Sequence, residues 1–342
     1  MPRRPIYPAL LVAFPLGLIV LGILTFGYYL LTLDNRTQEE IEADERARRA
    51  EVVSMLRKDP QVADLQTYVR LLTALGPRNA AHPKALTQTA DSIDNFLGGF
   101  NMGYQVNRQG FVGEDGVQRT NVYVEVAGRS AETLLIVADA SSPGDSPGAD
   151  ANASGVAVLL TLANAFIGTK PENTIRFLAL ADAEGAEAHA QAAFESGETL
   201  GPVLVLDRLG SYASAPGTQR APDGLDASIF PAQGDFVAVI GDLAGIGLVE
   251  SVENLLSLSG TLPVHGEAVS AQVPILADSA LAPFLRTNGV RGVLVTATGE
   301  LRSASAGTRD DTLEQLEMEP LHAVALGLQK VVQALANPEP AP

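Results

Sequence analysis

Three short apolar runs in this sequence end in carboxylates. "LLIVADASS" ends in Asp139–Ser142, "FLALADAEG" in Asp182–Glu184 and "VLVLD" in Asp207, while a fourth acid, Asp150, sits on a glycine-flanked turn in "GADANASG". If the runs are neighbouring strands, their carboxyl ends share one rim, and that rim is where open α/β sheets bind ligands. Clustered oxygen donors there would suit a divalent cation. Each Asp taken alone could equally cap the turn or helix that follows it. Other chemistries have less material. The chain has no cysteine, which removes disulfides, thiolate zinc sites and a cysteine nucleophile together. Its four histidines are His82, His189, His265 and His322. None falls at a strand end, and each reads as a surface or half-buried side chain. Ser141, Ser142 and Ser154 have no Gly-x-Ser-x-Gly setting and no histidine partner, so a serine hydrolase is not supported.

The elements that would position these residues alternate. Strands are expected at 120–128, 132–139, 173–182, 201–207, 234–242 and 290–297. Helices are expected at 60–75, 85–98, 152–168, 186–196, 245–258 and 316–336. Near-continuous apolar strands separated by helices indicate a mostly parallel sheet buried on both faces. The segment Ser211–Gln233 is rich in Pro, Gly and Ser and reads as a surface loop or insertion. There is no internal repeat and no glycine-rich phosphate loop.

Length and charge bound the rest. The chain has 342 residues and a net charge of −17, from 40 acidic and 23 basic residues, with no basic block. Nucleic-acid binding, which leans on Lys and Arg against phosphates, is thereby disfavoured. No charge occurs between Arg4 and Asp34, a run longer than the ~20 apolar residues that cross a bilayer. Tyr7 at one end and Tyr28 and Tyr29 at the other suit the two interfaces. The run is too long for a signal-peptide core and has no small-x-small cleavage site after it, so it reads as an uncleaved anchor. Arg3 and Arg4 on a short tail favour a cytoplasmic N-terminus. The expected organisation is a cytoplasmic tail and transmembrane anchor at 1–34 and a juxtamembrane helix or stalk at 35–60. An α/β domain follows at 61–338, with a tail at 339–342. The chain would be a single-pass protein of the cell (inner) membrane with its α/β domain extracytoplasmic or periplasmic.

From about Ala63 to Ala336 the chain resembles the zinc-dependent aminopeptidase/carboxypeptidase family with two co-catalytic zincs. That family includes secreted bacterial leucyl aminopeptidases and glutamate carboxypeptidase, with transferrin receptor and nicastrin as noncatalytic relatives. The resemblance rests on "LGPRNAAHPKALTQTADSIDNFL", "TNVYVEVAGRSAETLLIVADASS", "PGADANASGVAVLLTLANAF", "TIRFLALADAEG", "VLVLDRLGS", "SALAPFLRTNGVRGVLV" and "GTRDDTLEQL", in the family's order. It implies a three-layer α/β/α sandwich with a mostly parallel mixed sheet, here preceded by the N-terminal transmembrane helix.

Carried over position by position, the family's chemistry is largely missing. The strand-end His-x-Asp reads Asp139-Ala140-Ser141. The Asp-x-x-Ser-Gly turn whose Asp bridges both zincs puts Ala151 in the bridging place, with Asp150 as its neighbour. The Glu-Glu pair, general base then ligand, reads Ala183-Glu184. The Asp ligand of Asp-x-x-Gly survives as Asp207. The Asp-His before Pro-Phe reads Ala280-Leu281, and the histidine ahead of T-x-x-D-T reads Gly307. Vestigial ligand positions are therefore Asp139, Glu184 and Asp207, with ligands lost at Ala151 and Leu281 and no base at Ala183. Ser141, Asp150 and Asn152 are left as a residual cleft. A zinc site needs three or four ligands with His or Cys among them, so no zinc or other cofactor is expected. The leading expectation is a catalytically inactive pseudopeptidase that binds or assembles with a protein or peptide partner. One alternative is an active metallo-aminopeptidase holding one cation, zinc included, on Asp139, Asp150, Glu184 and Asp207. Another is a structural module that makes contact through its stalk or its 211–224 loop.

Overall fold

Alternation along the strands decides the architecture. In a computed structural model describing residues 57–226, 228–260, 262–287 and 289–338, Leu134, Ile136, Leu204, Leu206, Val237 and Val239 face one helical layer. Their neighbours Leu135, Val137, Val203, Val205, Ala238 and Ile240 face another. A strand apolar on both faces must be covered twice, and this one requirement yields helix, sheet and helix in three layers.

The sheet has eight strands: β1 (Asn107–Val112), β2 (Gln118–Val126), β3 (Thr133–Asp139), β4 (Thr174–Leu180), β5 (Leu200–Asp207), β6 (Val237–Asp242), β7 (Val264–Val269) and β8 (Gly292–Thr296). Their spatial order is β1-β2-β4-β3-β5-β8-β6-β7. The central β4, β3, β5 and β8 run parallel, with Asp139 beside Leu180 and Asp207 beside Thr296. β1 and β2 are antiparallel to their neighbours, β6 is antiparallel to β8, and β7 is parallel to β6. The sheet is mixed, and its four adjacent parallel strands all end on the same rim.

Helices α1 (Val62–Thr73), α2 (Pro83–Leu97), α3 (Gly155–Ala165), α5 (Ile246–Ser257) and α8 (Met318–Leu335) cover one face, while α4 (Ala183–Ser196), α6 (Pro274–Ala277) and α7 (Ala282–Leu285) cover the other. Helix α3 is buried on every side except at Asn164, because it lies between the sheet and both α1 and α8. This explains why its sequence is apolar without amphipathic spacing.

The expected strands and helices are present, with ends moved by a few residues. Two strands were not foreseen. β1 (NRQGFV) and β7 (VHGEAV) form the two edges of the sheet, are only half-buried or exposed along nearly their whole length, and so lack the apolar run that marks the inner strands. The first turn of the expected helix at 152–168 is also different. Residues Ala149–Ser154 make a separate kinked turn, with a cis peptide between Ala151 and Asn152, and regular helix begins at Gly155.

The expected anchor and the stalk up to residue 56 lie outside the described residues, as does the 339–342 tail. Among the described residues no helix is long and apolar enough to cross a membrane.

Candidate functional site

The rim of the parallel strands carries a cleft of about 500 Å³, lined by Asp139, Asn152, Ala183, Asp207 and Ala280 among others. The site is built on a bracket of backbone and side chains around the turn 148–154. Asp311, fully buried, accepts hydrogen bonds from the backbone N–H groups of Asp150 (2.7 Å), Ala151 (3.1 Å) and Gly307 (3.0 Å). Asp150 in turn accepts from the Gly210 N–H at 2.7 Å and the Ser211 hydroxyl at 2.6 Å. The Ser154 hydroxyl donates to the Asp150 carbonyl at 2.9 Å and accepts from the Leu209 N–H at 3.0 Å. Gly155 is required beside it, because a Cβ there would stand 2.4 Å from the Leu206 carbonyl oxygen. The Asp-x-x-x-Ser-Gly spacing thus joins the start of α3 to the end of β5.

Below this bracket Arg78 is fully buried. Its guanidinium donates to the carbonyls of Ala140 (3.0 Å), Leu72 (3.2 Å), Gly76 (3.4 Å), Pro147 (2.5 Å) and Gly148 (3.0 Å). Burial lowers its pKa to about 10, against the opposing pull of Asp139 and Asp311. Sequence reasoning missed Arg78 and Asp311 as site-forming residues. Both stand inside landmark segments, "LGPRN" and "GTRDDT", but an Arg or Asp in a loop gives no hint from its type that it is buried.

Of the residual-cleft residues, only Asn152 faces the cleft. Asp150 does not: it is buried behind the turn with both carboxylate oxygens engaged. Ser141 is not among the cleft-lining residues; its N–H donates to Asp139 at 2.7 Å, and its carbonyl faces the Asn152 amide. Neither Asn152 nor Ser154 caps α3, since the chain is already turning before them.

The vestigial ligand positions are divided. Asp139 and Asp207 line the cleft. Burial pushes the Asp139 pKa up to about 6, and Asp182 and Asp207 add to the shift. Asp207 moves the same way through burial, opposed by Arg208. Glu184 is turned toward the β1–β2 connection. It accepts from the Glu114 N–H at 2.8 Å and lies 3.6 Å from the guanidinium of Arg119, which also pairs with Asp115 and Asp182. Asp139, Asp150, Glu184 and Asp207 are therefore not gathered around one point. Among the described residues no group of three or more His, Cys, Asp or Glu side chains is placed to share a metal ion.

The lost positions have become ordinary structure. Ala151 is buried. Leu281 belongs to the core on the α4 face and presses on β8, where a Cβ at Gly292 would meet it at 2.4 Å. Gly307 has φ +74°, a left-handed conformation that disfavours a histidine. The donor set does not fit a zinc pair: imidazoles, bridge and base are missing, and the surviving carboxylates are separated.

The Ser211–Gln233 segment is, as expected, a loop at the surface, half-buried or exposed at most of its described residues, and it is tied to the body of the domain. Ala213 pairs with Gly234, and the Gln219 side-chain oxygen accepts from Arg302 (2.5 Å) and Thr298 (3.1 Å). Arg220, Pro222 and Asp223 form one wall of the cleft.

One prediction concerns Asp150. Burial first, then repulsion by Asp311 and Asp207, raises its pKa to about 6 against the hydrogen bonds it accepts. The folded chain holds this proton more tightly than the unfolded one. The stabilising contribution is complete below the unfolded carboxylate range near pH 4 and is lost as pH rises through about 6. Two pH units correspond to a contribution on the order of 2–3 kcal/mol. Asp150→Asn should therefore flatten the stability profile between pH 4 and 6, measured by urea unfolding at each pH. An unchanged profile would show that Asp150 does not titrate there.

With this geometry in place, comparison with known proteins is informative. Residues 121–230 match Peptidase family M28. The uncharacterized protein YfbL of Escherichia coli (strain K12) is 27% identical over 282 residues, which is 77% of this chain and 85% of that protein. The Legionella pneumophila LapA aminopeptidase superposes with a TM-score of 0.63 at 15% identity, covering 85% of this chain and 76% of its own. A Zn-dependent exopeptidase from Parabacteroides distasonis ATCC 8503 does so with a TM-score of 0.59 at 17% identity, over 81% and 99% respectively. The sequence resemblance is borne out: residues 121–230 match the model of Peptidase family M28, and the described residues share the α/β fold of solved zinc-dependent exopeptidases and aminopeptidases.

Proposed function

We propose that this chain is a membrane-anchored, extracytoplasmic M28 peptidase-fold domain that binds a peptide or protein partner and does not hydrolyse it. One contrast carries the reading. The bracket that shapes the rim is complete, from Arg78 and Asp311 to Asp150, Ser154 and Gly155, whereas the groups that would perform the chemistry are Ala151, Ala183, Leu281 and Gly307. A scaffold kept without its ligands supports a role for the cleft's shape. Its volume of about 500 Å³ is within the usual range for a ligand site. Because the 211–233 segment is a wall of the cleft, a partner that contacts this loop and one that enters the cleft would meet the same surface. The uncharged run between Arg4 and Asp34 supports the anchor.

The test is elemental analysis of the purified full-length chain, paired with cleavage assays on aminoacyl chromogenic substrates with zinc, cobalt or manganese added. The expected result is no stoichiometric zinc and no turnover above buffer. One or two zinc ions per chain together with aminoacyl cleavage would refute the reading. Retention in the membrane fraction after carbonate washing is expected of the anchor, and release into the wash would remove that part.

A further inference from the structure

The family's cleft is organised around metal charge, and the residues here do not fit that metal. What balances the acids that remain is visible in the structure. We infer that Arg208 is a built-in cation: its guanidinium stands in the cleft as a permanent substitute for metal charge. It holds together the carboxylates of Asp207 and Glu300 and closes the site to free divalent ions. The inference rests on the function proposed above and deepens it by naming the charge that lines the cleft beside its acids.

Several independent observations place it there. Arg208 follows Asp207 at the end of β5 and lines the same cleft as Asp139, Asn152, Asp207 and Glu300. Its Nη1 lies 3.5 Å from Asp207 Oδ2 and its Nε 3.3 Å from Glu300 Oε2, so one side chain spans the ends of β5 and the 298–302 turn. Its backbone is committed as well. Arg208 has φ +46°, in the left-handed region, and its carbonyl accepts from the Ala297 N–H at 3.0 Å. Room has been made for the side chain: Gly299 has φ +42°, and a Cβ there would stand 2.4 Å from Arg208 Cδ. Electrostatics agree. Asp207 raises the Arg208 pKa most, burial opposes this, and Glu300, Asp150 and Asp139 all add to the pull.

Arginine suits this task. A guanidinium keeps its charge at any accessible pH and is more weakly hydrated than an ammonium, so it can remain in a half-buried acidic cleft. Without it, Asp139, Asp207 and Glu300 would line the cleft with Arg220 as the one other basic residue among its lining, an excess of negative charge in a partly desolvated site.

The experiment compares full-length wild type, Arg208→Ala and Arg208→Lys by thermal unfolding at pH 7.5. Arg208→Ala should lower Tm by about 4 °C or more. Methylguanidinium at low millimolar concentration should recover at least half of that loss, and manganese should raise the Tm of the variant. Neither should move wild type, and tetramethylammonium at equal ionic strength should move neither protein. Arg208→Lys, which keeps the charge, should lose less than half as much. The inference is overturned if Arg208→Ala matches wild type, if its loss is not recovered by either cation, or if manganese stabilises wild type equally. Should Arg208→Ala fail to fold, Arg208→Lys decides: a fold kept with manganese-insensitive stability supports the inference, and loss of the fold with lysine as well overturns it. These outcomes are separate from those of the proposed function, which is decided by zinc content, turnover and membrane retention.

Discussion

Arg78→Met is expected to lower the unfolding free energy by about 3–5 kcal/mol, the largest effect of any single substitution around the site. The guanidinium is fully buried and donates to five backbone carbonyls drawn from three segments: the last turn of α1 and the residues after it (Leu72 and Gly76), Ala140 beyond β3, and Pro147 and Gly148. Methionine fills much of the same volume, so packing loss is small and the measured cost isolates the lost donors. Leu72 and Gly148 keep a second donor in the Leu75 and Ala153 N–H groups, but the carbonyls of Ala140, Gly76 and Pro147 would lose theirs, and a buried group left so costs about 1–3 kcal/mol. Among the described residues no carboxylate pairs directly with Arg78; Asp139 and Asp311 act on it through the field. Urea unfolding of the two proteins at pH 7.5 measures the difference. A loss below about 1 kcal/mol would show that the loops hold their shape without the arginine. Arg78→Lys should recover little, since a single ammonium cannot reach carbonyls on opposite sides of the planar fork.

Much of this fold is legible in the amino-acid sequence, and the reasons are local. The inner strands are near-continuous apolar runs because both faces are covered, so Leu134–Ala138, Phe177–Leu180 and Val203–Leu206 announce themselves. The edge strands β1 and β7 do not, since an edge buries little and carries a polar, half-exposed sequence. The site is legible where side-chain type alone decides. An alanine at position 151 or a leucine at 281 has no group able to bind a metal, whatever surrounds it. It is illegible where the environment decides. Asp150 and Asn152 are near neighbours on one turn, yet one points behind it into Gly210 and Ser211 and the other faces the cleft. Glu184 keeps the residue type of a ligand, but its carboxylate is drawn to the β1–β2 connection by the Glu114 N–H and Arg119. Arg208 draws no attention in "LDRLG", because nothing in a sequence says that a charged side chain lies across a cleft. Direction and burial come from the turn geometry, and the turn is fixed by contacts as distant in sequence as Asp150 and Asp311.

Asp311→Ala is the second large effect, expected to cost about 3 kcal/mol or more. Its carboxylate is the shared acceptor for three backbone donors, the N–H groups of Asp150, Ala151 and Gly307, and its own carbonyl accepts from Ala149. Alanine leaves those three N–H groups buried or nearly so, with no acceptor in reach. The consequence is directional as well as energetic. The turn 149–151 positions Asp150 against Gly210 and aims Asn152 into the cleft, so loosening it should open the bracket between α3 and β5. Asp311→Asn separates the two contributions. An amide has one acceptor oxygen, which serves most donors when it faces the Ala151 and Gly307 N–H groups that share one carboxylate oxygen, and its NH2 then faces the Asp150 N–H. Its loss of stability should fall between wild type and alanine. Amide hydrogen exchange gives the sharper reading: protection at residue 150 should drop in Asp311→Asn while residues 151 and 307 stay protected, and all three should drop in Asp311→Ala. Uniform loss of protection across α3 in the asparagine variant would contradict this division. Removing the Asp311 charge also relieves the repulsion that raises the Asp150 pKa. The alanine variant should therefore show its pH-dependent loss of stability at slightly lower pH than wild type, so that one buried carboxylate shapes the turn and adds to the burial that raises the proton affinity of the other.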